Sequence, residues 1–262
     1  MTLSSAIDSP PLVLVEERGP HTWVTMSCPA RRNALSEQML TGLLGAFTQI
    51  ATTSATGVVL AAQGPVFSAG HDFADVHARD QVGVEKLLEL CTSLMQTVQS
   101  VPQVVVARVQ GLATAAGCQL VASCDLAVAA QSAGFALPGG KGGWFCHTPA
   151  VPVARSVGRK RLMEMALTGD VVGAQLAADW GLINYAVPDV ELDSAVTDLL
   201  TRATRGGSSS KAAGKLTLYA QLDRPESDGY AVAIGAMAST SQTSDAVEGR
   251  AAFLEKRLPR WS

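Results

Sequence analysis

The stretch Gly111-Leu-Ala-Thr-Ala-Ala-Gly117-Cys-Gln-Leu-Val-Ala-Ser-Cys-Asp125 decides how the rest of the chain is read. It follows an apolar run of β-formers, Val104 to Val109, that reads as a buried strand. It opens with glycine and small residues and then turns into an apolar helical pattern. A strand, a small-residue turn and a helix start together present unpaired N–H groups to an anion. Small side chains at Ala113, Ala115, Ala116 and Gly117 let a ligand approach the backbone closely. The same residues suit a tightly packed crossover with no ligand, and this stretch alone does not separate the two.

Upstream the same plan recurs. Gly57 to Ala61 (GVVLA) is a short continuous apolar run, typical of a parallel strand buried on both faces. It ends in the loop Gly64-Pro-Val-Phe-Ser-Ala-Gly-His-Asp-Phe73, and a helix follows over Val84–Val101, with Leu87, Leu88, Leu90, Cys91, Leu94, Met95 and Val98 on a broad apolar face. Before these, Leu12–Glu17 and Thr22–Ser27 read as strands joined at Gly19-Pro20. A polar turn, Pro29 to Ser36, leads into a helix carrying Leu40, Leu43, Leu44, Phe47 and Ile50.

Downstream, Leu126–Ala129 is another strand, and the Gly/Pro-rich segment from Ser132 to Pro152 begins as loop. Ala154–Thr168 reads as one amphipathic helix and Ala174–Trp180 as a second, stopped by Gly181. Leu182–Val187 reads as a last strand. Everything beyond Pro188 has helical patterning. The expectation is an α/β core over residues 1–188 and a helical region over 189–262.

At 262 residues with 47% hydrophobic content the chain holds one large core. Charged residues make up 16%, well below the roughly 25% of an ordinary soluble domain, so part of the surface is expected to be buried against other subunits. A net charge of −3 with interspersed signs gives no reason to expect nucleic acid. No apolar run approaches the ~20 residues of a membrane span. The start, MTLSSAIDSPP, lacks a basic n-region and an apolar core and reads as a polar tail, not a signal peptide. Five cysteines without metal-site spacing read as reduced, buried thiols, and a cytoplasmic location is expected. Neither a metal nor a separate cofactor is expected.

Phe67-Ser68-Ala69-Gly70 and Thr114-Ala115-Ala116-Gly117 are two similar loops, each following a buried strand. Neighbouring parallel strands end on one sheet edge, where ligands bind in open α/β folds. Two converging N–H groups there form an oxyanion hole suited to a thioester or ester carbonyl that gains charge in an enolate. Two ordinary turns would account for the same small residues.

In order and spacing, several segments resemble the enoyl-CoA hydratase/isomerase (crotonase) superfamily. They are Arg32-Asn-Ala-Leu-Ser36, Phe67-Ser-Ala-Gly-His-Asp72, Gly111-(x)5-Gly117-Cys118, Ala122-(x)2-Asp125, Leu167-Thr-Gly-Asp170, Ala177-(x)3-Gly181-Leu182 and Glu248 to Arg257. The stretch Phe135-Ala-Leu-Pro-(x)6-Phe145-Cys-His-Thr-Pro149 resembles one branch of that family in particular. The resemblance implies an α/β fold, a spiral of ββα units with a C-terminal helical region, assembled as a homotrimer or as a hexamer built of two trimers. It implies an acyl-CoA or enoyl-CoA thioester as ligand, coenzyme A being part of the substrate, with the thioester oxygen at the N–H groups of Ala69 and Ala116. The CoA portion would meet Arg31, Arg32 and Ala34, together with Ser68, Gly70, His71, Asp72, Phe73 and Gly117. Phe253 and Lys256 would come from a neighbouring subunit's last helix.

Hydratases of this family use two glutamates to activate water and protonate the α-carbon. The corresponding places here hold Gln119 and Gly139. Gln119 can hold a water but cannot take its proton, and Gly139 offers no side chain. His147 is the replacement base the sequence offers, with a helix-cap or solvent-exposed role as the plainer alternative. An enoyl-CoA hydratase or isomerase-like enzyme and a non-catalytic acyl-CoA carrier are therefore both expected readings.

Overall fold

The computed structural model describes residues 10–261, so the expected polar tail over the first nine residues lies outside the described part. Strands β1 (Val13–Arg18) and β2 (His21–Met26) form the expected hairpin, turned at Gly19. After a 3-10 turn at Pro29–Arg31 comes helix α1 (Glu37–Ile50), capped by the Ser36 hydroxyl, which accepts from the Met39 N–H at 3.2 Å. Strands β3 (Gly57–Ala62) and β4 (Val66–Ser68) lead to the short α2 (Phe73–His77) and to α3 (Gln81–Ser100). Next come β5 (Val104–Val109), β6 (Leu112–Thr114) and α4 (Ala116–Ser123), then β7 (Leu126–Ala130) and β8 (Gly134–Ala136). Each of these turns thus gives one strand to each of two sheets. The larger runs β1-β2-β3-β5-β7 and closes on β10 (Tyr185–Val187); the smaller runs β4-β6-β8 and closes on the two-residue β9 (Val172–Gly173). This is the ββα spiral that the resemblance implies.

The apolar run at 57–62 is buried at every position, as expected of a parallel strand with both faces covered. One expected helix divides: Ala154–Thr168 is the end of α5 (His147–Ser156) and the whole of α6 (Arg159–Thr168). The chain turns out of helix at Val157 and Gly158, both extended. The start of α5 was hidden by Pro149 and Pro152, which read as breakers; Pro149 falls in the first turn, where no N–H is needed. Helix α7 (Ala174–Trp180) ends on Gly181 at φ +86°. The last expected strand, Leu182–Val187, shortens to β10. The region beyond it is helical: α8 (Leu192–Thr204), α9 (Ser208–Gln221), α10 (Glu226–Thr240) and α11 (Ser244–Glu255).

A buried polar cluster ties this region to the core. The Lys215 ammonium on α9 donates to the carbonyls of Val98 (2.9 Å) and Gln103 (2.8 Å) and pairs with Asp125 at 2.8 Å. Asp125 also accepts from the Val105 N–H and the Tyr219 hydroxyl. Burial raises the Asp125 pKa and lowers that of Lys215, and the attraction between the two opposes both shifts. No helix among the described residues is long and apolar enough to cross a membrane.

Candidate functional site

Strands β4 and β6 pair in parallel, with Val66 opposite Leu112 and Ser68 opposite Ala113. The two similar loops therefore leave the small sheet side by side. Their contact is too close for side chains. A Cβ on Gly70, whose φ of +86° already favours glycine, would sit 3.0 Å from the Thr114 carbonyl oxygen and 3.2 Å from the Ala116 nitrogen. One on Gly117 would sit 2.5 Å from the Ser68 carbonyl oxygen.

In the second loop, Ala115 holds φ 50° and ψ −119°, a conformation that costs a non-glycine residue about 1–3 kcal/mol. It aims the start of α4 at the first loop. No side chain caps α4, and the fully buried Ala116 N–H donates to no acceptor among the described residues. A buried N–H without a partner is rare in folded proteins.

In the first loop the expected donor is corrected. The Ala69 N–H donates to the Arg32 carbonyl at 3.0 Å and is not free for a ligand. The next two positions settle which N–H is. Gly70 donates to the Ser68 hydroxyl at 3.3 Å. His71 forms an isolated parallel bridge with Leu35, in which Leu35 bonds to the Gly70 carbonyl and accepts from the Asp72 N–H. That pattern turns the His71 N–H away from Leu35, and it has no acceptor among the described residues.

A cavity of about 470 Å³ opens beside these loops. Ala69, His71, Phe73 and Ala115 contribute to it, as do Leu88 from α3 and Pro138 to Gly139. Its outer wall is Trp144, Phe145, Cys146 and His147. Aromatic rings meet along that wall: Trp144 lies 6.2 Å from both His71 and Phe73, and His147 lies 5.1 Å from Phe145.

Gln119, on α4, is buried, and its side-chain amide oxygen Oε1 has no hydrogen-bond partner. Gly139 is closed off by its own loop. A Cβ there would sit 2.2 Å from the Trp144 carbonyl oxygen and 2.8 Å from Cys146 Sγ. The turn is held by the Gly139 carbonyl, which accepts from the Gly142 and Trp144 N–H groups, both at 3.0 Å. Burial pushes the Cys146 thiol up, while its bond from the Gly139 N–H acts the other way. His147 is exposed and begins α5.

His71 is the titratable group sequence reading undervalued. Both ring nitrogens are shielded from solvent and neither makes a hydrogen bond of normal geometry. Burial lowers its pKa; the Leu35 backbone and the Asp75 carboxylate pull weakly the other way. Nothing in the motif Ser-Ala-Gly-His-Asp signals that burial.

The expected CoA-contact residues divide into two groups. Arg31 pairs with the buried Asp72 carboxylate, which also caps α2 by accepting from the Ala74 N–H at 3.0 Å. Arg32 is joined to Ala69, Ala34 bonds back to Arg31, and the Ser68 hydroxyl donates to the Asn33 carbonyl at 2.8 Å, while Gly70 and Gly117 form the loop-to-loop contact and Phe73 borders the cavity. Asn33 itself was missed. It is fully buried; its amide donates to the carbonyls of Gln63 and Val66, both at 2.8 Å, and its oxygen accepts from the Cys28 N–H at 2.9 Å. It clamps the Arg31–Ala34 turn to the first loop. Phe253 (83% exposed) and Lys256 end α11 and do not border the cavity. Among the described residues no cluster of three metal-ligating side chains occurs.

Comparison with known proteins agrees with this architecture. The family model for enoyl-CoA hydratase/isomerase matches residues 22–262. Enoyl-CoA hydratase domain-containing protein 3, mitochondrial, of Rattus norvegicus is 41% identical over 241 residues, covering 91% of this chain and 80% of that protein. Among solved structures, an enoyl-CoA hydratase of Mycobacterium smegmatis superimposes with a TM-score of 0.93 at 42% identity, covering 96% of this chain and 99% of the other. Human enoyl-CoA hydratase domain-containing protein 3 gives a TM-score of 0.92 at 36% identity, covering 95% and 100%. With its spiral fold, its paired loops and a family match over most of its length, the chain belongs to the enoyl-CoA hydratase/isomerase (crotonase) superfamily and resembles its domain-containing protein 3 branch.

Proposed function

We propose that this protein binds an acyl-CoA thioester and stabilises its enolate, with the thioester oxygen between the N–H groups of His71 and Ala116. The observation that carries this reading is the pair of unsatisfied backbone donors on two touching loops beside an apolar cavity. Such donors act on charge that develops in the transition state, each contributing about 3–4 kcal/mol in acyl-transfer enzymes. The Arg31–Ala34 turn and Ser68, Gly70, Asp72 and Phe73 are assigned to the CoA portion. Phe253 and Lys256 would serve that role only from a neighbouring subunit. A homotrimer or hexamer fits the exposed apolar side chains of the helical region, among them Met237, Phe253, Leu254 and Leu258.

Hydration by a glutamate pair is not assigned. The Gln119 amide neither takes up nor gives up a proton as an acid or base at neutral pH, and the Trp144 carbonyl occupies the space a side chain on residue 139 would need. These two features favour a second reading, an acyl-CoA carrier without turnover.

Binding of butyryl-CoA and of its thioether analogue, which lacks the carbonyl, tests the reading. The thioester should bind more tightly, and isotope-edited infrared spectra should show its carbonyl stretch lowered relative to water. No binding at millimolar concentration, or an unshifted carbonyl, overturns it. Hydration of crotonyl-CoA at the background rate alongside tight binding would favour the carrier over the hydratase.

A further inference from the structure

Resting on the acyl-CoA reading above, we propose that Leu88 sets the length of the acyl chain, as the wall where the apolar cavity stops and a polar surface groove begins. Two hollows share this wall. The cavity beside the paired loops is bordered by Leu88, the one residue that α3 gives it, and by Thr148 in the first turn of α5. A second, more open hollow of about 750 Å³ runs along α3, and Leu88 and Thr148 border that one as well. Among the described residues no other borders both.

Helical periodicity accounts for the arrangement. Leu87, Cys91, Leu94 and Val98 recur at three and four residues and are buried, so Leu88 falls at the edge of the apolar stripe and is only half-buried. Beside it runs the row Gln81, Glu85, Glu89 and Ser93, at four-residue spacing, which floors the groove. The chemistry therefore changes across one side chain. Leu88 shares the cavity lining with Pro138, Trp144, Phe145 and Pro149, and shares the groove with two exposed carboxylates. A methylene moved from water into the first surrounding gains about fourfold in affinity, and one laid among solvated carboxylates gains little.

The direction of the chain follows from the loops. The thioester oxygen sits at the N–H groups of His71 and Ala116. The CoA portion lies with the Arg31–Ala34 turn, which is bonded to the first loop through the Arg32 carbonyl and the Ala69 N–H. The acyl chain is left with the rest of the cavity, which ends at α3 and the start of α5. The ligand class is thus an apolar acyl thioester whose chain ends at Leu88.

The test is calorimetric binding of saturated acyl-CoAs from butyryl to hexadecanoyl, each below its micelle-forming concentration, to the full chain and its variants. Wild-type affinity should rise about fourfold per methylene, reach a break within the series and then level off or fall. Leu88→Ala opens the wall and should move the break to longer chains. Two methylenes regained at that rate should raise the affinity of the chain two carbons past the wild-type break, relative to butyryl-CoA, by about tenfold. Leu88→Phe thickens the wall and should move the break to shorter chains; it is read alone if Leu88→Ala does not fold. A wild-type series without a break, or a break that stays in place in the Leu88 variants, overturns the proposal. So does a break that moves in Trp144→Ala but not in Leu88→Ala. Butyryl-CoA that fails to bind wild-type protein defeats the acyl-CoA reading itself, whereas normal binding with an unmoved break defeats only the wall.

Discussion

Replacing Gly139 by alanine should destabilise the protein far more than one methyl group normally does. The added Cβ would lie 2.2 Å from the Trp144 carbonyl oxygen, 2.8 Å from Cys146 Sγ and 2.9 Å from the Cys146 nitrogen. Two of these three atoms are backbone, so no rotamer change relieves the contact. The Trp144 carbonyl must retreat by about 0.8 Å to reach the 3.0 Å below which Cβ contacts essentially do not occur. Overpacking of this kind costs roughly 1–3 kcal/mol. The retreat also loosens two bonds to the Gly139 carbonyl, each contributing about 1 kcal/mol. The expected loss is about 2–4 kcal/mol, a fall in Tm of about 5–15 °C for a chain of this size. Urea and thermal unfolding at one fixed protein concentration measure it. Gly45→Ala is the matched control: that position is on exposed helix surface with nothing within 4 Å of the new Cβ, and it should gain about 0.5–1 kcal/mol. A Gly139→Ala protein that melts within 1 °C of wild type would refute the reasoning, and with it the claim that this loop excludes a catalytic side chain.

Two further outcomes follow from the same contacts. Asn33→Ala removes three hydrogen bonds of 2.8–2.9 Å and leaves an alanine at φ 49°, so it should cost about 2–4 kcal/mol and weaken acyl-CoA binding; unchanged urea unfolding would contradict the clamp. Burial lowers the pKa of His21 and His71 below 6.5, so the unfolded chain takes up those protons first. Stability should therefore fall as pH drops from about 7.5 through 6.5 to the folded values and then level off. That decline should be shallower in His71→Asn when Tm is followed from pH 8 to 5.

The fold was legible because its signals are local and periodic. The apolar run at 57–61, the Gly-Pro turn at 19–20 and the one-sided leucines of α1 each demand a single structure. The smaller sheet was not legible. Its strands are two or three residues long, too short for alternation to register, and exist because neighbouring loops lie side by side. The site divides in the same way. Small residues at 68–70 and 114–117 announced close backbone approach, but which N–H stays free depends on where other carbonyls fall. Arg32 reaches Ala69 from 37 residues away, and sequence spacing carries no trace of that bond. The burial of His71 and the closed turn over Gly139 are equally tertiary facts.

Gln119 and Gly139, the two places where the resemblance puts a glutamate pair, differ physically, and a last prediction separates them. Gly139 is locked by backbone, whereas Gln119 already holds a side chain of glutamate's shape in a buried setting. Gln119→Glu adds no atoms and changes only charge, so its cost should come from desolvation, which raises a buried carboxyl's pKa. A folded pKa above the unfolded value near 4.3 means that the folded state holds the proton longer. The protonated acid is close to isosteric with the amide, so Gln119→Glu should match wild type below about pH 4.5. The deficit should then grow as pH rises, by at most about 1.4 kcal/mol per unit, and level off once pH passes the folded pKa. Urea unfolding of both proteins at pH 4.5, 6, 7 and 8 tests this. A deficit that stays constant with pH would mean that shape, not charge, is what residue 119 enforces, and the asymmetry between the two positions would vanish. If the deficit follows pH, residue 119 can carry a carboxylate after a single substitution, whereas residue 139 requires a rebuilt loop, because the Trp144 carbonyl fills the space that any side chain there would need.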